Sequence, residues 1–431
     1  MNNRSILSID LGSAYTKVAA RIGWDAHAKL LRNLSIAPRD LSFCVPSVVA
    51  NVRRPGMDAW FVGLEAASLV PGEGVTIHRH WKARLFTGRA DERAVAAELA
   101  NRFLQGIRGE VAALAPPAEI SSAPARLCVP KLAGLERSAP QILDLLKASG
   151  WTPARGAAAA YEPEANAMGV LTAGRNRTWE PPTKGYDFMP HPGRCSLLPG
   201  MLEPHLSEAF RGGALREGRS FYGVLVTDVG AYTTDFGFVQ FDTSFWTDEW
   251  RQPRVVQQSY ELGVEGLDAT VLSGLTASAR EAVRHAPLLE WERHKRALYA
   301  GKPIAFPSPT GGVVRIGEGR EGHAIASAVD DFADRVLEAR DRFCSTCLEG
   351  ASVRSEIFTG GGALIPSVRT ALAEGAKRRG VAAVHDPWTA LGGPSSGTPA
   401  VGEREADRRA ARGEELSRGA CAIGGASVFF E

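Results

Sequence analysis

One pattern of residues occurs twice in this chain, as SILSIDLGSAYTK at residues 5–17 and as YGVLVTDVGAYTTD at residues 222–235. In each copy an apolar strand ends at a carboxylate, Asp10 or Asp228, and a short turn of small residues leads into a returning strand. The turns are Gly-Ser-Ala and Gly-Ala-Tyr. Because the unit recurs in both halves of the chain, it predicts two similar α/β lobes.

The chemistry of both turns suits phosphate. A tight turn of small residues lets backbone N–H groups approach phosphate oxygens, and the hydroxyls of Ser13, Thr233 and Thr234 add donors. Strand-end carboxylates suit hydrated Mg²⁺, which binds through a few carboxylates, water and phosphate, and Lys17 can neutralise phosphate charge. A single hairpin of this kind is typical of an ordinary β-turn, so the prediction of a phosphate site depends on the repetition.

The composition is that of an ordinary globular protein. The 431 residues are 44% hydrophobic and 23% charged, with a formal net charge of +2. This balance argues against a nucleic-acid or membrane-surface partner. The six cysteines are too few for a disulfide scaffold, and no apolar run reaches the roughly 18 residues of a membrane span. We therefore expect a cytoplasmic location.

Five further segments, taken with the repeat, carry a resemblance to a known superfamily. In sequence and order they resemble the superfamily of actin, sugar kinases and 70-kDa heat-shock proteins, and the chaperone ATPase domain most of all. The segments are FCVPSVVA at 43–50, FVGLEAA at 61–67, the Glu-Pro-containing stretch Ile142–Val170, WERHKRAL at 291–298 and FTGGGALIP at 358–366.

The resemblance implies an α/β chain with the two-lobed, actin-like ATPase fold, in which duplicated ribonuclease-H-like domains enclose a nucleotide cleft. Lobe I would occupy residues 1–172 and lobe II residues 222–386. Residues 387–431 would form a loop and a closing helix that returns towards lobe I. Residues 173–221, rich in Pro, Gly and Arg, predict an irregular insertion, which we interpret as a surface for an unknown protein partner.

The resemblance also assigns roles residue by residue. Asp10 and Asp228 would hold the metal through water, and Glu162 would orient the attacking water. The segment WKARLFTGR is similar to the one that carries the family's catalytic lysine, so Lys82 is the candidate, with Lys17 as the alternative. The nucleotide would contact Gly12, Ser13, Ala14, Tyr15, Lys17, Gly230, Ala231, Tyr232, Thr233, Thr234, Asp235, Glu292, Lys295, Arg296, Gly360, Gly361 and Gly362.

The chain departs from the family pattern at several points. Ala231 and Tyr232 stand where the family has consecutive glycines, and they predict crowding near the terminal phosphate. Lys17 is more typical of actins and cell-shape filament proteins than of chaperones. The insertion is longer than the corresponding chaperone connection. After the segment RGACAIGGA at 418–426, which resembles the closing helix, no peptide-binding domain is expected.

The expected function is that of a chaperone-like nucleotide switch. It would bind ATP or ADP with Mg²⁺ and hydrolyse ATP, with lobe closure as its output. Lys17 favours an alternative, an actin-like ATPase that forms filaments. Ala231 and Tyr232 favour another, a nucleotide-binding scaffold with little turnover. A small-molecule kinase is disfavoured by the chaperone-like segments.

Overall fold

A computed structural model describes residues 5–21, 28–114, 120, 122–136, 139–155, 158–173, 221–242, 254–381, 383–385 and 403–426. Residues 174–220 of the expected insertion lie outside this set, so its role as a partner surface stays a prediction. Residues 387–402, before the expected closing helix, also lie outside it. None of the helices in the described ranges has the length and apolar composition needed to span a membrane.

The first part of the chain begins with six strands and continues with a mixture of helices and strands. Its strands are β1 (Ile6–Asp10), β2 (Tyr15–Arg21), β3 (Lys29–Leu30), β4 (Val45–Pro46), β5 (Val49–Arg54), β6 (Met57–Val62), β7 (Val75–His78), β8 (Ala125–Val129) and β9 (Ala159–Tyr161). Its helices are α1 (Gly63–Ser68), α2 (Trp81–Thr87), α3 (Ala90–Ala113), α4 (Pro140–Ala148) and α5 (Glu162–Ala173).

The second part of the chain is built in the same way. Its strands are β10 (Phe221–Val229), β11 (Thr234–Asp242), β12 (Arg254–Tyr260), β13 (Ile304–Pro307), β14 (Val313–Ile316), β15 (Ser355–Thr359) and β16 (Ala383–His385). Its helices are α6 (Val264–Gly274), α7 (Ala277–His285), α8 (Leu288–Tyr299), α9 (Gly319–Cys347), α10 (Pro366–Arg378) and α11 (Glu403–Gly425).

Two mixed sheets share one strand order. The first sheet runs β3-β2-β1-β8-β9, with β4 also paired to β2, and the second runs β12-β11-β10-β15-β16. In each, the three strands on one side are antiparallel neighbours and the remaining two continue in parallel. The smaller sheets β6-β5-β7 and β13-β14 complete a mixed α/β protein.

The central strands explain where the core lies. Every residue of β1 and β8 is buried, as expected for parallel neighbours covered on both faces. Ile9 and Leu127 belong to a hydrophobic cluster with Phe103 of α3 and Leu146 of α4. A second cluster joins β10 and β15 to α6, α9 and α10. Each hairpin of the repeat is therefore anchored on a packed sheet.

Helix α11 lies against α5 with almost no side chains between them. A Cβ added at Gly169 would fall 1.8 Å from the carbonyl oxygen of Ala420, and one added at Gly424 would fall 1.7 Å from that of Ala165. Only glycine permits this close approach at either position. The backbones of the two helices thus meet directly, which brings α11 next to the carboxyl end of β1.

Candidate functional site

The two sequence repeats form two hairpins of the same register. Asp10 pairs with Lys17 across β1 and β2, and Asp228 pairs with Asp235 across β10 and β11. In both cases the paired positions close the turn of small residues. Both turns line one cleft, so the structure brings together the two halves of the predicted phosphate site.

Glycine is required in both turns. A Cβ at Gly12 would lie 2.2 Å from the carbonyl oxygen of Tyr15. A Cβ at Gly230 would lie 2.9 Å from the carbonyl oxygen of Thr233, to which the Gly230 N–H also donates a hydrogen bond of 2.9 Å. Such distances are shorter than carbon–oxygen contact allows, so a larger residue would open either turn.

The cleft brings together nearly all of the predicted site residues. Its open space, including the part that faces solvent, amounts to about 1040 Å³. Every residue predicted for the site lines it except Thr234. The Thr234 hydroxyl instead donates to the carbonyl oxygen of Leu262 at 2.6 Å. The expectation that Thr234 adds a phosphate donor is therefore not supported.

Two lysines on the floor of the cleft are paired with carboxylates. The Nζ atom of Lys17 lies 2.9 Å from Oδ2 of Asp10, and Nζ of Lys82 lies 2.5 Å from Oε1 of Glu162. Burial alone would lower the pKa of Lys82, but the Glu162 carboxylate reverses this effect and raises it. Both ammonium groups therefore stay charged where phosphate is expected.

Two further carboxylates of the cleft, Asp228 and Asp235, accept hydrogen bonds from neutral side chains. Asp228 accepts a hydrogen bond from Asn166, and its Oδ1 atom is buried without a partner among the described residues. Asp235 accepts hydrogen bonds from Ser259 and, at 3.0 Å, from Thr233. Burial raises the pKa of Asp228 to about 7. Burial, together with the charge of Asp228, raises the pKa of Asp235 to about 7.

This charge pattern fits a hydrated cation. At the end of the cleft where the two hairpins meet, four buried carboxylates face the two ammonium groups of Lys17 and Lys82, so full ionisation leaves an excess of negative charge at that end. The described residues contain no group of three or more His, Cys, Asp or Glu side chains arranged to hold an ion directly. A Mg²⁺ ion that keeps most of its water and contacts Asp10 and Asp228 through that water satisfies both observations.

Helix α8 forms the opposite end of the cleft. The Nζ atom of Lys295 lies 2.8 Å from Oε1 of Glu292 and 2.8 Å from Oδ2 of Asp268. The hydroxyl of Tyr299 donates to the other Asp268 oxygen at 2.5 Å. Lys295 is thus held by two carboxylates, and it fixes the Glu292 carboxylate, which can accept hydrogen bonds from hydroxyl groups of a ligand.

A turn of glycines lies between these two ends. Gly360 has a φ of +87°, and a Cβ there would lie 2.1 Å from Oδ1 of Asp228. A Cβ at Gly362 would lie 2.4 Å from a methyl carbon of Val229. The predicted Gly360–Gly362 loop therefore packs directly against the second hairpin, and it lines the cleft with backbone alone.

Two polar contacts cross the mouth of the cleft, one from helix α2 and one from His80, the residue before it. The hydroxyl oxygens of Tyr232 and Thr87 lie 3.1 Å apart. Nδ1 of His80 lies 2.9 Å from Oε1 of Glu265. Burial raises the pKa of Tyr232 to about 12, so its hydroxyl stays protonated. The side chain of Tyr232 thus has a structural role, because it ties the second turn to the helix that carries Lys82.

Sequence reasoning missed several residues of the site. Asn166 follows Glu162 by one helical turn, a spacing that predicts a shared face and offered a usable signal. Tyr299 stands in the same relation to Lys295 on α8. Arg418 and Cys421 line the cleft from α11, and the segment that contains them was expected only to close the fold.

The cleft offers a defined set of chemical groups. Backbone turns and ammonium groups at one end suit phosphates, buried carboxylates suit a hydrated cation and a water molecule, and α8 offers a fixed carboxylate at the other end. This combination fits a ligand that carries several phosphates on a polar head group. A scan of known protein families finds none that matches this chain, and a search of curated proteins finds no match.

Proposed function

We propose that this protein binds ATP and ADP with Mg²⁺ in the cleft and hydrolyses ATP as a nucleotide-dependent switch of the 70-kDa heat-shock type. The observation that carries the proposal is the meeting of two hairpins of equal register at one cleft, with the Lys82–Glu162 pair between them. A ligand with several phosphates can contact both turns at once. Ordinary β-turns, in contrast, are not expected to face each other across a cleft.

The corresponding fold would be the two-lobed, actin-like ATPase fold. The shared strand order of the two sheets supports it, as does a cleft lined by residues from both repeats. In this arrangement a nucleotide bridges the lobes, so binding favours the closed state over the open state.

In the proposed reaction, water attacks the terminal phosphate in line with the departing diphosphate. The Glu162 carboxylate orients that water and accepts a hydrogen bond from it. The Lys82 ammonium offsets the charge that develops on the phosphoryl oxygens. N–H groups of both turns position the phosphates. When bound, Mg²⁺ would neutralise phosphate charge, with Asp10 and Asp228 contacting its water shell.

A second candidate is a nucleotide-binding scaffold with little turnover. The short Lys82–Glu162 ion pair favours it. This ion pair must break before Lys82 can contact a phosphoryl oxygen or Glu162 can orient a water molecule. The bulky Tyr232 at the second turn favours it as well. In this case the bound nucleotide would still close the cleft, and the switch would depend on exchange rather than on hydrolysis.

Calorimetry with ATP, ADP and AMP, with and without Mg²⁺, tests binding, and phosphate release measured on the same sample tests turnover. The proposal expects tight ATP and ADP binding that needs Mg²⁺, and slow phosphate release. Binding without release identifies the scaffold. A chain that binds none of these nucleotides would rule out both functions.

A further inference from the structure

Helix α11 supplies a guanidinium group to the cleft. The Arg418 side chain is only 8% exposed, and its Nε atom donates to Oε1 of Glu414 at 2.9 Å. Arg418 lines the cleft together with Cys421 from the next turn of the helix. Among the described residues this guanidinium hydrogen-bonds to a single carboxylate oxygen, which leaves unused donors.

The same Glu414 oxygen also binds an arginine from a different part of the chain. The Nη2 atom of Arg296, on α8, donates to Oε1 of Glu414 at 3.0 Å. Because Arg296 and Arg418 share one oxygen, their guanidinium groups lie next to each other at the edge of the cleft. Glu414 offsets only one of the two positive charges, and it fixes the position of both groups.

The glycine turn places Arg418 beside the ligand space. The N–H of Gly360 donates to the carbonyl oxygen of Ser417 at 2.8 Å, and the Ser417 hydroxyl donates back to the Gly360 carbonyl at 3.4 Å. A Cβ at Gly361 would lie 3.7 Å from Nη1 of Arg418. The guanidinium therefore stands over a turn that has no side chains of its own.

We infer that Arg418 is a nucleoside-binding residue of this site, an inference that rests on the proposed function. A guanidinium plane stacks on the face of a heteroaromatic base and donates to its ring nitrogens. The two backbone turns that suit phosphate lie at the other end of the cleft. The buried lysines that suit phosphate lie on the floor of the cleft.

This assignment makes the nucleoside a link between α8 and α11. Within the described part of the chain, Glu414 bridges Arg296 and Arg418. A bound base would contact both guanidinium groups and the glycine turn. Nucleotide occupancy would then stabilise the docked position of α11, in addition to bringing the two hairpins together.

The test compares Arg418→Lys and Arg418→Met with the wild type in calorimetric titrations with ATP, adenosine and Mg²⁺-tripolyphosphate. Lysine keeps the charge but loses the planar group, and methionine loses both. We expect each variant to bind ATP and adenosine about tenfold more weakly, with tripolyphosphate binding unchanged. Arg32→Met is the matched control, because Arg32 pairs with Glu415 on the same helix but lies outside the cleft.

The possible outcomes are distinct. Unchanged ATP affinity in both Arg418 variants would overturn the inference, as would an equal loss for ATP and tripolyphosphate, which would make Arg418 a phosphate ligand. A wild type that binds tripolyphosphate but neither ATP nor adenosine overturns the proposed function itself. A melting curve accompanies each titration, so a variant that unfolds is recognised. If Arg418→Met unfolds, the titrations of Arg418→Lys decide whether the inference holds.

Discussion

Lys82 and Glu162 form a buried ion pair in which Nζ and Oε1 lie 2.5 Å apart, although the two residues come from different helices, α2 and α5. Neither side chain exceeds 6% exposure. The pair places an ammonium group and a carboxyl group between the two hairpin turns. Each partner can therefore be tested both for its effect on stability and for its effect on chemistry.

Replacing Glu162 by glutamine should separate these effects. We expect Glu162→Gln to bind ATP with nearly wild-type affinity and to hydrolyse it at least about tenfold more slowly, because the amide keeps the shape but loses the charge that orients water. Single-turnover phosphate release measures the change. Glu164→Gln, on the first turn of the same helix but outside the cleft, serves as control. Normal turnover with a lowered melting temperature would instead indicate that Glu162 acts only as a favourable charge at the helix terminus, a contribution of about 1 kcal/mol.

Removing Lys82 should destabilise the free protein through its partner. Lys82→Met leaves the Glu162 carboxylate buried without its cation, which costs about 3–5 kcal/mol in comparable pairs. We expect the double variant Lys82→Met/Glu162→Gln to recover much of this loss, since neither charge then remains. Urea unfolding of the four proteins in the cycle gives the coupling free energy. Additive losses would argue that the pair makes no specific contribution.

The two strand-end carboxylates should control the response to magnesium. Asp10→Asn and Asp228→Asn should each lower hydrolysis at least about tenfold, because a metal-mediated charge contact is worth several kcal/mol in a transition state. The Mg²⁺ concentration needed for half-maximal rate should rise in both. Asp58→Asn alters an exposed carboxylate outside the cleft and should change neither quantity. Wild-type turnover in both cleft variants would refute the metal assignment.

The raised pKa values of Asp228 and Asp235 predict a pH dependence of stability. Both groups bind protons more tightly in the folded protein than in the unfolded chain, where an Asp pKa is about 3.9. Their stabilising contribution is therefore complete below about pH 4 and is lost as pH rises through about 7, a difference on the order of a few kcal/mol for each group.

The corresponding measurement is the melting temperature of the nucleotide-free protein between pH 4 and 8, with Asp228→Asn/Asp235→Asn as reference. The wild type should lose stability relative to this variant as pH rises. Added Mg²⁺ should reduce the loss mainly at pH 8, where the carboxylates are ionised. A wild type that gains on the variant with rising pH would contradict the assignment.

The contact between Tyr232 and Thr87 should slow nucleotide exchange. Its loss in Tyr232→Phe removes a polar tie across the mouth of the cleft while keeping the ring, so we expect ADP to dissociate a fewfold faster, in line with a hydrogen bond of about 1 kcal/mol. Stopped-flow chase of a fluorescent ADP measures this rate. Thr87→Val should give the same change, and the double variant should add nothing further; independent, multiplicative effects would show that the two hydroxyls do not act together.

Local turn chemistry explains what the sequence alone could predict. The hairpins span only seven positions from carboxylate to partner, and the glycines that shape them are visible in the sequence. The partners of the carboxylates are different in kind. Asn166 is 62 residues from Asp228, and Glu414 is 118 residues from Arg296, so only the packed fold brings them together. Thr234 lies in the same local pattern, but its hydroxyl donates to the carbonyl oxygen of Leu262, a partner that no local pattern indicates.

The position of α11 has a consequence for biosynthesis. Arg21, on β2, donates to the carbonyl oxygen of Ala426, 405 residues later, and Arg126 donates to that of Gly425. Contacts between such distant positions form slowly. A growing polypeptide that has not yet reached Ala426 has both guanidinium groups without these acceptors and the small-residue face of α5 uncovered. The docking of α11 onto α5 therefore waits until this helix has been synthesised, and the proposed nucleotide would stabilise the docked state only from that point on.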